Sequence, residues 1–144
     1  MRAALKEAEK AFAEDEVPVG AVAVRNGKII ARARNKKEKK GDPTAHAEIE
    51  LLKKVAKRIG GWRLKGITIY ATLEPCPMCA GAFVLGRIDR LVYGASDKKM
   101  GAVRSLFKIA DDERLNHRIS ITEGVLAKES AELLKRFFEI KRRR

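Results

Sequence analysis

The chain has 144 residues, 45% of them hydrophobic, which suits one domain with a real core and excludes a disordered segment. Lys and Arg number 32 against 19 Asp and Glu, and the formal charge of +13 favours a polyanionic partner, nucleic acid being the commonest. No apolar run approaches the roughly 18 residues that span a bilayer, and no signal segment opens the chain, so the expectation is a cytoplasmic protein with no membrane partner.

From the N-terminus, Ala4, Leu5, Ala8, Ala11 and Phe12 recur at helical spacing, which predicts an amphipathic helix over 3–15 closed by Pro18. Apolar runs over 19–24 and 28–33 flank Asn26-Gly27, a strong hairpin signal. The run Asn35 to Gly41 reads as a charged, solvated loop. Asp42-Pro43-Thr44 then reads as a helix start, and the helix carries Ile49, Leu52, Val55, Ala56 and Ile59 before stopping at Gly60-Gly61. Strands are expected over 67–73 and 88–94, with a helix over 75–85 between them. A short helix over 105–110, a weaker strand over 119–125 and a final helix over 128–140 complete the order. That last helix places Leu133, Leu134, Phe137 and Phe138 on its apolar side and ends in Lys141, Arg142, Arg143 and Arg144. Strands alternating with helices predict one α/β domain: a sheet of about five strands covered by helices, three layers in all.

Two clusters carry chemistry, each near the start of an expected helix: His46-Ala47-Glu48 and Pro75-Cys76-Pro77-Met78-Cys79. Cysteines three apart on a helix share a face, and thiolates near a helix N-terminus are stabilised by its free N–H groups. With His46 as third ligand, one imidazole and two thiolates balance the charge of Zn²⁺ and leave a fourth position open, the pattern of a catalytic zinc. Positions two apart on a regular helix diverge by about 200°, so His46 and Glu48 can both point inward only at the helix entrance, with His46 in the first turn. Glu48 would then accept a proton from an activated water. A Cys-x-x-Cys alone also occurs in redox sites and structural metal sites. A structural zinc would need another ligand, and the only other histidine is His117, in a polar segment far along the chain.

Together, His-x-Glu and Pro-Cys-x-x-Cys form the signature of zinc nucleobase deaminases. With Glu16-Val17-Pro18-Val19-Gly20-Ala21, Asp42-Pro43-Thr44, Thr72-Leu73-Glu74 and Asn116-His117-Arg118, the chain resembles the bacterial tRNA-specific adenosine deaminases over nearly its whole length. The resemblance implies a cytidine deaminase-like fold with a mixed sheet, a homodimer with active sites near the subunit interface, and a tRNA anticodon stem-loop as partner. It implies zinc on His46, Cys76 and Cys79, with Glu48 shuttling the proton as wobble adenosine becomes inosine. Asn35 matches the side chain that hydrogen-bonds the target base, and Val17, the Ala47 backbone and Leu73 match the pocket wall. Asp97, Lys98 and Lys99 match a loop along the bound nucleotides; Phe138, Lys141 and Arg142 match a helix that touches the stem-loop. The loop after Asn35 is more charged than the family pattern, and Arg104 stands where relatives often carry a small residue. Both departures bear on the substrate, leaving three alternatives open. Two keep the chemistry, on single-stranded DNA adenine in an engineered deaminase or on a free base such as guanine or cytosine. The third is a non-catalytic RNA-binding module with a structural zinc.

Overall fold

The computed structural model describes residues 1–144. Helix α1 (Arg2–Ala13) leads into the hairpin β1 (Gly20–Arg25) and β2 (Lys28–Arg34), joined through Asn26 and Gly27, both with positive φ, as a tight turn of the right twist requires. Then follow α2 (Lys37–Lys40), α3 (Ala47–Ile59), β3 (Thr68–Leu73), α4 (Pro77–Leu85), β4 (Arg90–Ala95), β5 (Ser120–Thr122) and α5 (Ala127–Arg142). The sheet order is β2-β1-β3-β4-β5. β1 runs antiparallel to β2 and β3, while β3, β4 and β5 are parallel, so the sheet is mixed.

Helices α1 and α5 cover one face and α3 with α4 the other, giving three layers. The main core lies under α3 and α4, where Leu51, Val55, Ala80 and Phe83 meet Ala21, Ala23, Ile69, Ala71, Leu91 and Tyr93. Each large apolar side chain buried there contributes about 1.5–3 kcal/mol. On the opposite face α1 lies so close to β1 that a Cβ on Gly20 would fall 2.1 Å from the Ala4 carbonyl oxygen. That approach requires glycine.

Three expectations change. The charged loop after Asn35 contains one helical turn, α2, whose backbone is tied down even though its side chains are exposed. The helix expected from Asp42 starts at Ala47, because the Asp42 carboxylate accepts bonds from the Thr44 N–H (2.8 Å) and hydroxyl (2.7 Å) and closes a separate turn. Residues 105–110 form turns rather than a helix, because their preceding N–H groups are bound to a carboxylate instead of to one another. No helix is long and apolar enough to cross a membrane.

Candidate active site

Two helix N-termini meet at one end of the sheet. His46 caps α3 in extended conformation (φ −69°, ψ 151°), and Cys76 caps α4 in the same way (φ −75°, ψ 173°) with Pro77 at the first helical position. Cap side chains stand beyond the helix wall, so these two face each other across the gap. His46 Nδ1 lies 3.5 Å from Cys76 Sγ and 3.6 Å from Cys79 Sγ, and the three donor atoms fall within 4.8 Å of one another. A tetrahedral zinc with bonds of about 2.3 Å to sulfur and 2.0–2.1 Å to nitrogen needs nitrogen–sulfur edges of about 3.6 Å. The donors fit such an ion and leave its fourth position for another ligand. His46 therefore precedes the first turn rather than lying in it, which removes the divergence of positions 46 and 48: Glu48 belongs to the helix and the imidazole does not.

Electrostatics couple the four groups. Burial pushes the Glu48 carboxyl up to about 7, against the pull of its own N–H and of His46. Cys76 is pulled down to about 4, first by its hydrogen bond from Cys79 and then by His46. Cys79, as donor to Cys76, is pushed up, and His46 is raised by its bond with Cys76. The cluster thus holds a thiolate ready for a cation, with a carboxyl beside it able to take and return a proton near neutral pH.

A cavity of about 660 Å³ opens onto this cluster. Glu48, His46 and Cys76 lie at its chemical end; Val17, Asn35, Ala47 and Leu73 line it, as do Asp97, Lys98, Lys99 and Phe138. Asn35 is buried, its Nδ2 donates to the Val17 carbonyl (3.4 Å), and its Oδ1 has no protein partner. A buried acceptor left open in a cavity wall suits a ligand donor. Lys141 and Arg142 lie outside this cavity, and Lys141 is paired with Asp15 at 2.9 Å.

A model of the MafB19-like deaminase family matches residues 1–142. The chain is 49% identical to the tRNA-specific adenosine deaminase of Bacillus subtilis (strain 168), over 96% of this chain and 86% of that protein. The Haemophilus influenzae protein of the same name is 50% identical over 99% of this chain and 83% of its own. The chain belongs to the tRNA-specific adenosine deaminase family. A solved structure from a study of A-to-I editing by tRNA:A34 deaminases at the wobble position superposes with a TM-score of 0.88 and 44% identity, covering 92% of this chain and 96% of that one. The α/β/α fold expected from the sequence is thus the fold of this deaminase family.

Within this deaminase framework, sequence reasoning left unread the role of four buried acids, Glu7, Glu16, Glu50 and Glu74, of which Glu16 and Glu74 hold main-chain donors beside the cavity. Burial alone would raise the Glu74 carboxyl, yet N–H groups of Arg104, Ser105 and Asp97 and the Ser105 hydroxyl hold it down at about 2. An acid between Leu73 and Pro75 signals that partners must exist, but those partners lie up to 31 residues away, beyond the reach of any local pattern. Lys37, Ser96 and Met100 also line the cavity. His117 bonds the Ile88 carbonyl through Nε2 at 2.7 Å and is not among the metal donors. Arg104 pairs with Asp111 at 2.9 Å and Glu123 at 3.6 Å, so its side chain is engaged by carboxylates.

Proposed function

We propose that this chain is a zinc-dependent hydrolase that converts adenosine to inosine at the wobble position of a tRNA anticodon loop, acting in the cytoplasm as one deaminase domain. The observation that carries this reading is a single cavity that joins a three-donor metal cluster, a neighbouring buried carboxyl and an open buried acceptor on Asn35. His46, Cys76 and Cys79 would hold the zinc, which when bound supplies Lewis-acid activation of water at neutral pH. Glu48 accepts a proton from the attacking water and passes it to N1 of the purine ring, then carries the second proton, from the hydroxyl formed at C6, to the departing amino group, so that adenosine and water become inosine and ammonia. Asn35 orients the base, while Val17, Leu73 and the Ala47 backbone wall its faces. Lys98 and Lys99 hold phosphates beside a base splayed out of an exposed loop, which costs little to unstack. Phe138 extends the contact toward the stem. Lys141, paired with Asp15, joins it only once that pair opens, and Arg142 follows it on α5. We also propose a homodimer; exposed Leu85, Met100, Leu106 and Phe107 provide apolar surface for it.

Inosine and ammonia release is measured on an adenosine-bearing anticodon hairpin, its DNA equivalent and free bases. The expected result is turnover of the RNA hairpin well above the others. Preferred turnover of the DNA strand or of guanine would redirect the substrate while keeping the chemistry. Hairpin binding with no turnover of any substrate, in a zinc-loaded protein, would favour a binding module.

A further inference from the structure

Two walls of the cavity are each held by one buried carboxylate, Glu16 in the connection from α1 to β1 and Glu74 directly after β3. The first wall follows Asn35 and carries Lys37; the second runs through Asp97, Lys98, Lys99 and Met100. Glu16 is 1% exposed and accepts the N–H groups of Glu38 (3.0 Å) and Lys39 (2.7 Å), the free donors at the start of α2. Glu74 is equally buried and accepts N–H groups of Asp97 (3.0 Å) on one oxygen and of Val103 (3.1 Å), Arg104 (2.8 Å) and Ser105 (3.0 Å) on the other, with the Ser105 hydroxyl added. Gly101 sits so close that a Cβ there would lie 2.5 Å from the Glu74 carboxyl. In sequence each acid neighbours a cavity-lining residue, Val17 for Glu16 and Leu73 for Glu74.

We infer that Glu16 and Glu74 are positioning residues for substrate recognition: each uses main-chain hydrogen bonds to set the distance of one cation-bearing wall from the base pocket. Glu74 itself lines the cavity, but both its oxygens are taken up by donors of the second wall, and Glu16 does not line it. A carboxylate suits the task because it only accepts, and these loops present only donors to it, main-chain N–H groups and the Ser105 hydroxyl. The metal donors are held differently, by the caps of α3 and α4, so the two functions can be separated by mutation. The part concerning RNA rests on the function proposed above.

The test is Glu74→Gln and Glu16→Gln in the zinc-loaded protein. Whichever way the new amide of Glu74→Gln turns, its NH2 meets at least one main-chain N–H, three in the worse orientation. The expected result is a rise in KM for the anticodon hairpin of about tenfold in Glu74→Gln and about threefold in Glu16→Gln, following the loss of buried hydrogen bonds. Zinc content stays at one per chain and kcat changes less than KM. Amide exchange should quicken at Asp97 and 103–105 in the first variant, and at 38–39 in the second, with α3 and α4 still protected. Ser105→Ala, which removes one donor and leaves the main chain intact, should shift KM the same way by a smaller factor and serves if Glu74→Gln does not fold. Unchanged KM and unchanged loop exchange in folded variants would overturn the inference, as would zinc loss with loop exchange unchanged. An inactive wild type would instead overturn the RNA reading, and the exchange pattern would still decide the anchors.

Discussion

The two ends of the cavity are built on different principles. At the metal end, His46 and Cys76 cap α3 and α4 and Cys79 lies in the first turn of α4, so their geometry follows from two caps and a spacing of three residues. At the rim, Lys37 and the 97–100 wall sit on loops that are held from below by Glu16 and Glu74, across 22 to 31 positions of chain. Helix termini are stiff and locally encoded, whereas a loop keeps its shape only while its N–H groups have partners. Chemistry can therefore remain constant while recognition is tuned.

The largest effect expected is at the metal end. Cys79→Ser should abolish metal retention and, with it, deamination; metal analysis beside the inosine assay checks this, and an active metal-free variant would break the distinction. Glu48→Ala should keep the metal and hairpin binding while lowering kcat by about 10²–10⁴-fold, the usual contribution of a proton-transferring side chain. Retained turnover would remove Glu48 from its role.

Rim changes should be smaller and of another kind. Gly101→Ala forces a methyl against the Glu74 carboxyl and the Asp97 carbonyl, both 2.5 Å away, and overpacking of that sort costs about 1–3 kcal/mol. Thermal unfolding should show a lower Tm with zinc still bound. The smallest effect contrasts two lysines. Lys98 lines the cavity without an ion-pair partner, and Lys98→Ala should reduce the slope of log affinity against log salt by about 0.7, the value for one phosphate on a single strand. Lys141, paired with Asp15, should change it less. Equal slopes for the two variants would blur the line between cavity cations and the rest of the surface.

Elements with strong local signals were legible. The Asn26-Gly27 hairpin, the stop of α3 at Gly60 in left-handed conformation (φ 85°) and the apolar side of α5 all follow from short-range patterns. The parts misread share a cause. Asp42 is a good cap by type, but its side chain closes its own turn with Thr44, and the expected helix at 105–110 is displaced because Val103, Arg104 and Ser105 give their N–H groups to Glu74. In both cases a side chain competes for backbone donors that local propensity assigns to a helix. Arg104 shows the same limit: as a lone cation it reads as part of the nucleic-acid side, and only the fold brings Asp111 and Glu123 to it.

By itself, then, the sequence determined the order of the five strands and the four longer helices, the donor types and their spacing, because caps, turns and closely spaced donor pairs act within a few residues. Only the tertiary structure decided that the N-termini of α3 and α4 meet, that Asn35 lines the same cavity, and which cations of the +13 surplus face it. Those facts depend on how the β1–β3–β4 sheet sets its loops side by side, and on two buried acids whose partners no local pattern could name.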